Sequence, residues 1–243
     1  MNLIIDVGNS FVKLAVFQNG LMKYKTSVRI KEVLAEVKEL TRLYSEIDKA
    51  IISSVGKFSK DDITIISELV HLVVLDSNIM LPFKNLYKTP KTLGVDRLAL
   101  VCASVSQFSE NNVLIIDAGT CMTFDFVNAE NEYLGGAISP GIRMRYQSLN
   151  NLTANLPLLD TQKPADIIGG STEESIHSGV VYGVLNEIDG IIESYKLKYS
   201  DLTVILTGGD TKFLSKQLKS SIFANPNFLL EGLDFILQLN SNE

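Results

Sequence analysis

A chain of 243 residues, 46% hydrophobic and 21% charged, has the composition of a globular protein with a sizeable core, which argues against a disordered chain. A net charge of −6 with no block of clustered Lys and Arg argues against nucleic acid as the main partner. Cys102 and Cys121 have no CxxC spacing, only two histidines accompany them, and no apolar run approaches the roughly 18–20 residues of a membrane span, so zinc, disulfide and membrane classes drop out and a soluble cytoplasmic protein is expected.

In chain order, strand-like apolar runs punctuated by Gly and Asn are predicted at 2–6, 11–17, 50–55, 70–75, 113–117, 121–127, 133–138 and 203–206. Helices are predicted between them at 30–44, 61–69, 94–108 and 172–195. The last has a start signal, because Ser171 with Glu174 three residues on forms a capping box ahead of Ile176, Val180, Val184 and Ile188. The pattern is that of a mixed α/β chain.

The first strand, LIIDVGNSFVKLAVF at 3–17, has an echo in LIIDAGTCMTFDFV at 114–127. Strand, Asp, Gly and a small polar residue match at an offset of 111 residues, and each copy is followed by a further hairpin, at Asn19-Gly20 and at 128–131. The repeat predicts a duplicated α/β fold, with domains at 1–110 and 111–243 and a nucleotide cleft between them. Chance recurrence of a short apolar-Asp-Gly string is the alternative.

Such turns suit phosphate. The strand delivers an acid, glycine lets backbone approach a ligand, and the amides and hydroxyls that follow can donate to phosphate oxygens, with Lys13 as a point charge. Asp6 and Asp117 can hold a hard cation such as nucleotide-bound magnesium. No P-loop and no GxGxxG occurs, so phosphate binding has another source. The plain alternative is a set of turn residues and a solvated lysine. TGGD at 207–210 closes a strand, and its paired glycines suit a nucleotide's base or ribose, or simply end the strand.

NLYKTPKTLGVDRLALVCAS at 85–104 places Asp96 and Arg97 at the start of an apolar helix. Asp96 either favours the helix dipole or takes the proton of a hydroxyl nucleophile; Arg97 is either a surface charge or the partner of an acceptor's carboxylate. Cys121 reads as a small buried hydrophobe, and His71 and His177 as structural or solvated.

Six motifs in order, DVGNSFVK at 6–13, YKTPKTLGVDR at 87–97, DAGTCMTFD at 117–125, GGAISPG at 135–141, STEESIHSG at 171–179 and TGGD at 207–210, resemble the type III pantothenate kinases. That family lies in the acetate and sugar kinase, Hsc70 and actin superfamily. The resemblance spans essentially the whole chain and implies duplicated actin-like, ribonuclease H-like domains with a mixed sheet in each. It implies ATP-dependent phosphorylation of pantothenate to 4′-phosphopantothenate, the first step of coenzyme A biosynthesis, by a homodimer that uses magnesium and a monovalent cation, potassium or ammonium.

By the same resemblance, Asp6, Val7, Gly8, Asn9, Ser10, Phe11, Val12 and Lys13 bind ATP, with Asp6 a candidate for magnesium, and Thr120 also contacts ATP. Asp117 holds the monovalent cation. Tyr87, Gly94, Val95, Asp96, Arg97 and Thr172 bind pantothenate, and Asp96 is the proton acceptor. Ser10 stands where threonine is usual, which keeps the hydroxyl. Two rivals remain: a superfamily kinase or phosphohydrolase acting on a sugar, a carboxylic acid or polyphosphate, and a non-enzymatic regulator on the same fold.

Overall fold

The computed structural model describes residues 1–8, 11–53, 58–76 and 79–241. The chain forms two compact units, Met1–Ser109 with Phe228–Glu243, and Glu110–Asn227. The first unit carries β1 (Asn2–Val7), β2 (Val12–Gln18), β3 (Leu21–Val28), α1 (Val33–Leu43), β4 (Lys49–Ile52), α2 (Lys60–Leu69), β5 (His71–Val74), β6 (Lys84–Asn85) and α3 (Val95–Gln107). In the second lie β7 (Val113–Ala118), β8 (Cys121–Val127), β9 (Glu132–Pro140), α4 (Ile142–Asn151), α5 (Thr172–Lys196), β10 (Thr203–Thr207), α6 (Thr211–Leu214) and β11 (Phe223–Ala224). The chain then returns to the first unit as α7 (Phe228–Leu239).

Within the first unit the sheet order is β3-β2-β1-β4-β5, an antiparallel meander continued by two parallel strands. The meander's second connection is the two-residue turn Asn19-Gly20, with φ of 53° and 74°, the pair of positive values that a type I′ turn requires. Strand β1 is apolar at Leu3, Ile4 and Ile5 because both of its faces are covered. Leu3 and Ile5 pack with Val37 and Leu40 of α1 and Ile66 of α2, whereas Ile4 packs with Ala99 of α3 and Leu233 and Ile236 of α7. Helices α3 and α7 touch backbone to side: a Cβ at Gly232 would lie 1.9 Å from the Ala99 carbonyl oxygen.

The second unit repeats the plan. Its strands run β11-β10-β7-β8-β9, again a meander flanked by parallel strands, and β7 holds the place of β1. Leu114 and Ile116 of β7 pack against Ile176, Val180, Val184 and Ile188, the stripe predicted for α5. The fold is therefore a duplicated actin-like α/β architecture with a mixed sheet in each half.

The division expected at 110/111 needs one correction. Residues 228–241 belong with the first unit, because α7 buries Leu230, Leu233, Ile236 and Leu237 against β1 and α3. Among the described residues no helix is long and apolar enough to cross a membrane.

Candidate active site

In the first unit β1 ends by delivering Asp6 to a place from which water is largely excluded. Lys13 is its cross-strand partner on β2, and the Lys13 ammonium lies 3.7 Å from Asp6 Oδ2. Ser53, one residue past β4, donates its hydroxyl to Asp6 Oδ1 at 3.2 Å and accepts the Val7 N–H at 2.9 Å. Burial pushes the Asp6 carboxyl above its ordinary range, opposed by Lys13 and Ser53 and reinforced by the nearby negative charge of Asp96. The turn itself needs glycine for space, since a Cβ at Gly8 would stand 2.8 Å from the Phe11 carbonyl oxygen, which the Gly8 N–H already donates to at 3.1 Å. Val12 is buried and Phe11 exposed. Asn9 and Ser10 lie outside the described residues.

Asp96 occupies the first turn of α3, exposed, with Oδ1 accepting the Arg97 N–H at 2.9 Å. Gly94, the N-cap, leaves the space this carboxylate uses: a Cβ there would come within 2.3 Å of Asp96 Oδ1. The surface-charge alternative for Arg97 does not hold. Its side chain is only 5% exposed and its guanidinium stacks over the Tyr87 ring, 5.4 Å from the centroid. Val95 begins α3 and packs into the core shared by α3 and α7. The structure thus brings Asp6 within electrostatic reach of both Lys13 and Asp96, with Arg97 next to Asp96 and stacked on Tyr87.

In the second unit the equivalent acid, Asp117, ends β7 and pairs across the sheet with Thr123. The two hairpins differ by one residue. Val7 pairs with Val12 across residues 8–11, whereas Ala118 pairs with Met122 across residues 119–121. The 111-residue offset therefore holds as far as the glycine and slips afterwards, so that Lys13 corresponds in register to Thr123. Thr120 is exposed at the tip of the short turn, and its carbonyl accepts the Gly141 N–H at 3.2 Å. Gly141 ends GGAISPG because a Cβ there would lie 2.1 Å from the Gly119 oxygen and 2.6 Å from that of Thr120. Cys121, expected as a buried hydrophobe, is exposed; it starts β8 where the hairpin leaves the sheet, and the buried thiol is Cys102.

TGGD packs onto the same turn. Gly208 has φ of 95°, and a Cβ on it would meet Asp117 Oδ1 at 2.3 Å and the Ala118 oxygen at 2.4 Å. The Asp210 N–H donates to that same Ala118 carbonyl at 3.0 Å, and burial holds the Asp210 carboxyl above its usual range. Thr172, at the first position of α5, lines a cavity of about 620 Å³ with Arg145, Leu149 and Ile176. Arg145 is anchored there by Glu187, the Pro140 carbonyl at 2.9 Å and the Ser139 hydroxyl at 3.1 Å. Ser171 caps α5 as predicted, accepting the Glu174 N–H at 3.2 Å, but the Glu174 carboxylate reaches one residue further back, to Gly170 N–H at 2.7 Å.

Sequence reasoning missed Ser53 and Arg145. A serine after an apolar strand carries no motif, and only the register of β4 against β1 shows that Ser53 reaches Asp6. Among the described residues no cluster of three or more His, Cys, Asp or Glu could hold a metal by itself. The acids nevertheless suit cations. Asp6 is a desolvated carboxylate only partly compensated by Lys13, and the Asp117 carboxylate and Ala118 carbonyl converge on the space a Gly208 Cβ would fill.

A sequence model of a family described as type III pantothenate kinase matches residues 2–194. Curated relatives of that description include one from Christiangramia forsetii, 51% identical over the full length of both chains. Another, from Flavobacterium psychrophilum, is 45% identical over 98% of this chain and 99% of its own. Solved structures with the same fold include a protein from Campylobacter jejuni described as a Baf family transcriptional activator, with a TM-score of 0.66 and 21% identity over 99% of this chain and all of that one. A ROK family glucokinase from Streptomyces griseus, in complex with glucose and AMPPNP, has a TM-score of 0.54 at 12% identity over 100% of this chain and 99% of its own. The two structural likenesses extend to the fold alone, whereas the full-length sequence relatives and the family match establish that the chain belongs to the type III pantothenate kinases.

Proposed function

We propose that Asp96 is the proton acceptor in the ATP-dependent phosphorylation of pantothenate that this chain, as a type III pantothenate kinase, carries out in the first step of coenzyme A biosynthesis. The observation that carries the assignment is the proximity of Asp96 to the Asp6–Lys13 pair: an exposed carboxylate at a helix start whose charge acts on the buried acid of the phosphate turn. Phosphoryl transfer asks little covalent work of a protein. It requires the acceptor hydroxyl in line with the γ-phosphate and positive charge around the equatorial oxygens.

In this reading residues 6–13 cradle the ATP phosphates, with Lys13 balancing charge, and Thr120 supports them from the second hairpin. ATP is used with a divalent metal, for which Asp6 is the carboxylate ligand; the metal supplies charge neutralisation on the phosphates when bound. Asp117, with the Ala118 carbonyl, holds potassium or ammonium. Asp96, held by the Arg97 N–H, orients the acceptor hydroxyl and takes its proton. Arg97, desolvated against Tyr87, meets the carboxylate of pantothenate, and residues 94–97 with Thr172 complete substrate binding. The dimer reading draws support from exposed apolar side chains in the segment between α4 and α5, at Leu152, Leu158, Ile167 and Ile168. The regulator alternative has no support in the likeness to the Campylobacter jejuni protein, which extends to the fold alone.

The test is a coupled ADP-release assay with magnesium and potassium, offering pantothenate against a panel of sugars. ADP release with pantothenate alone is the expected outcome. Release with sugars but not with pantothenate overturns the reading.

A further inference from the structure

We infer that Ser53 is a positioning residue for the metal–nucleotide end of the reaction: it sets the orientation in which Asp6 presents its carboxylate. The inference rests on the role proposed above for Asp6 and adds a residue that no motif marks.

Ser53 is 3% exposed and stands one step beyond β4, where its N–H donates to the Ile5 carbonyl at 3.0 Å and continues the parallel ladder with β1. The backbone register therefore pins its Cα opposite the end of β1. Its hydroxyl is used twice. As acceptor it takes the Val7 N–H at 2.9 Å, and as donor it holds Asp6 Oδ1 at 3.2 Å. With the Val7 N–H occupying one lone pair, the hydroxyl proton is available to the carboxylate, its acceptor at 3.2 Å. Oδ1 is thereby committed to Ser53, while Oδ2 faces the Lys13 ammonium 3.7 Å away. Lys13 alone does not settle the carboxylate's rotation, because a half-exposed ammonium on a flexible stem is a poor orienting group. The buried, doubly bonded serine is a good one. Such fixed supporting hydrogen bonds are what keep a metal-binding carboxylate in its productive rotamer.

The experiment measures binding of AMPPNP by calorimetry, with MgCl2 and with EDTA, to the wild type and to Ser53→Ala, Ser53→Thr and Asp6→Asn, each checked for folding by thermal melt. A merely structural serine would lower melting temperature and leave the ratio of the magnesium and EDTA affinities untouched. A positioning serine moves that ratio: Ser53→Ala is expected to weaken Mg-AMPPNP binding about tenfold while leaving metal-free binding near wild type, and Ser53→Thr, which keeps the hydroxyl, restores it. Should Ser53→Ala not fold, Ser53→Cys replaces it, since a thiol keeps the side chain's shape but is a weak donor and acceptor. If Asp6→Asn keeps the full magnesium increment, the role of Asp6 itself falls; if Asp6→Asn loses the increment while Ser53→Ala or Ser53→Cys keeps it, the inference about Ser53 alone is refuted.

Discussion

Replacing Gly141 by alanine should damage catalysis through a single methyl group. Gly141 has φ −69° and ψ 171°, a conformation alanine adopts freely, so backbone strain plays no part. The added Cβ would lie 2.1 Å from the Gly119 oxygen and 2.6 Å from that of Thr120. Ordinary contact begins near 3.4 Å, so the turn at 119–120 must move by roughly 1.3 Å. Overpacking of this kind costs about 1–3 kcal/mol, which for a chain of this size lowers the melting temperature by about 2–12 °C. The larger effect is on the chemistry: with the 119–120 turn in the ATP-binding role proposed for Thr120, a shift of about 1 Å there lowers turnover on the order of a hundredfold. Steady-state ADP release and thermal melts read the two effects separately. The control is Gly190→Ala in the middle of α5, where nothing lies within 4 Å of the new methyl; it should keep full activity and gain about 0.5–1 kcal/mol from helix propensity. Wild-type turnover in Gly141→Ala would refute the claim that catalysis needs the turn at 119–120 held in place.

Asp96→Asn should retain AMPPNP binding and lose most turnover, and near wild-type rates in that variant would remove Asp96 from its role. Burial raises the Asp6 carboxyl, so its contribution to stability is complete below the ordinary carboxylate value and is lost as pH rises through the raised one. Asp6→Asn should therefore melt higher than wild type at pH 7, with the gap closing in acid; a variant less stable than wild type at pH 7 contradicts the sign. Activity should require potassium or ammonium and lose that dependence in Asp117→Asn, and equal wild-type rates in sodium-only buffer would count against the assignment.

Most strands and long helices were legible because their burial follows directly from apolar runs and spacing. Strand β8 has the bounds read from its apolar run, and α5 differs from its predicted span by a single residue at the end. What escaped depends on contacts distant in sequence. Helix α7 is apolar around most of its circumference, Phe228, Leu230, Leu233, Ile236 and Leu237 all being buried, so it shows no stripe that would say which half of the chain it covers. The correspondence of Lys13 with Thr123 was hidden because turns absorb an extra residue without disturbing the strands on either side. Asp6, Lys13 and Asp96 could be named from motifs. That Arg97 is buried against Tyr87, or that Ser53 grips Asp6, comes only from packing and register.

The return of the last helix to the first unit has a consequence for how the protein is made. The second unit is one uninterrupted segment, Glu110–Asn227, so all of its residues are joined before Phe228 is added. The first unit begins earlier but finishes later: until Phe228–Leu239 is released, Ile4, Ala15, Phe17, Ala99 and Cys102 lack the apolar cover that α7 provides. The order of completion is therefore the reverse of the order of synthesis, an exception to the usual N-terminal-first sequence of domain folding. A released chain truncated just short of residue 228 would hold every residue of the second unit while the first still lacked its last helix.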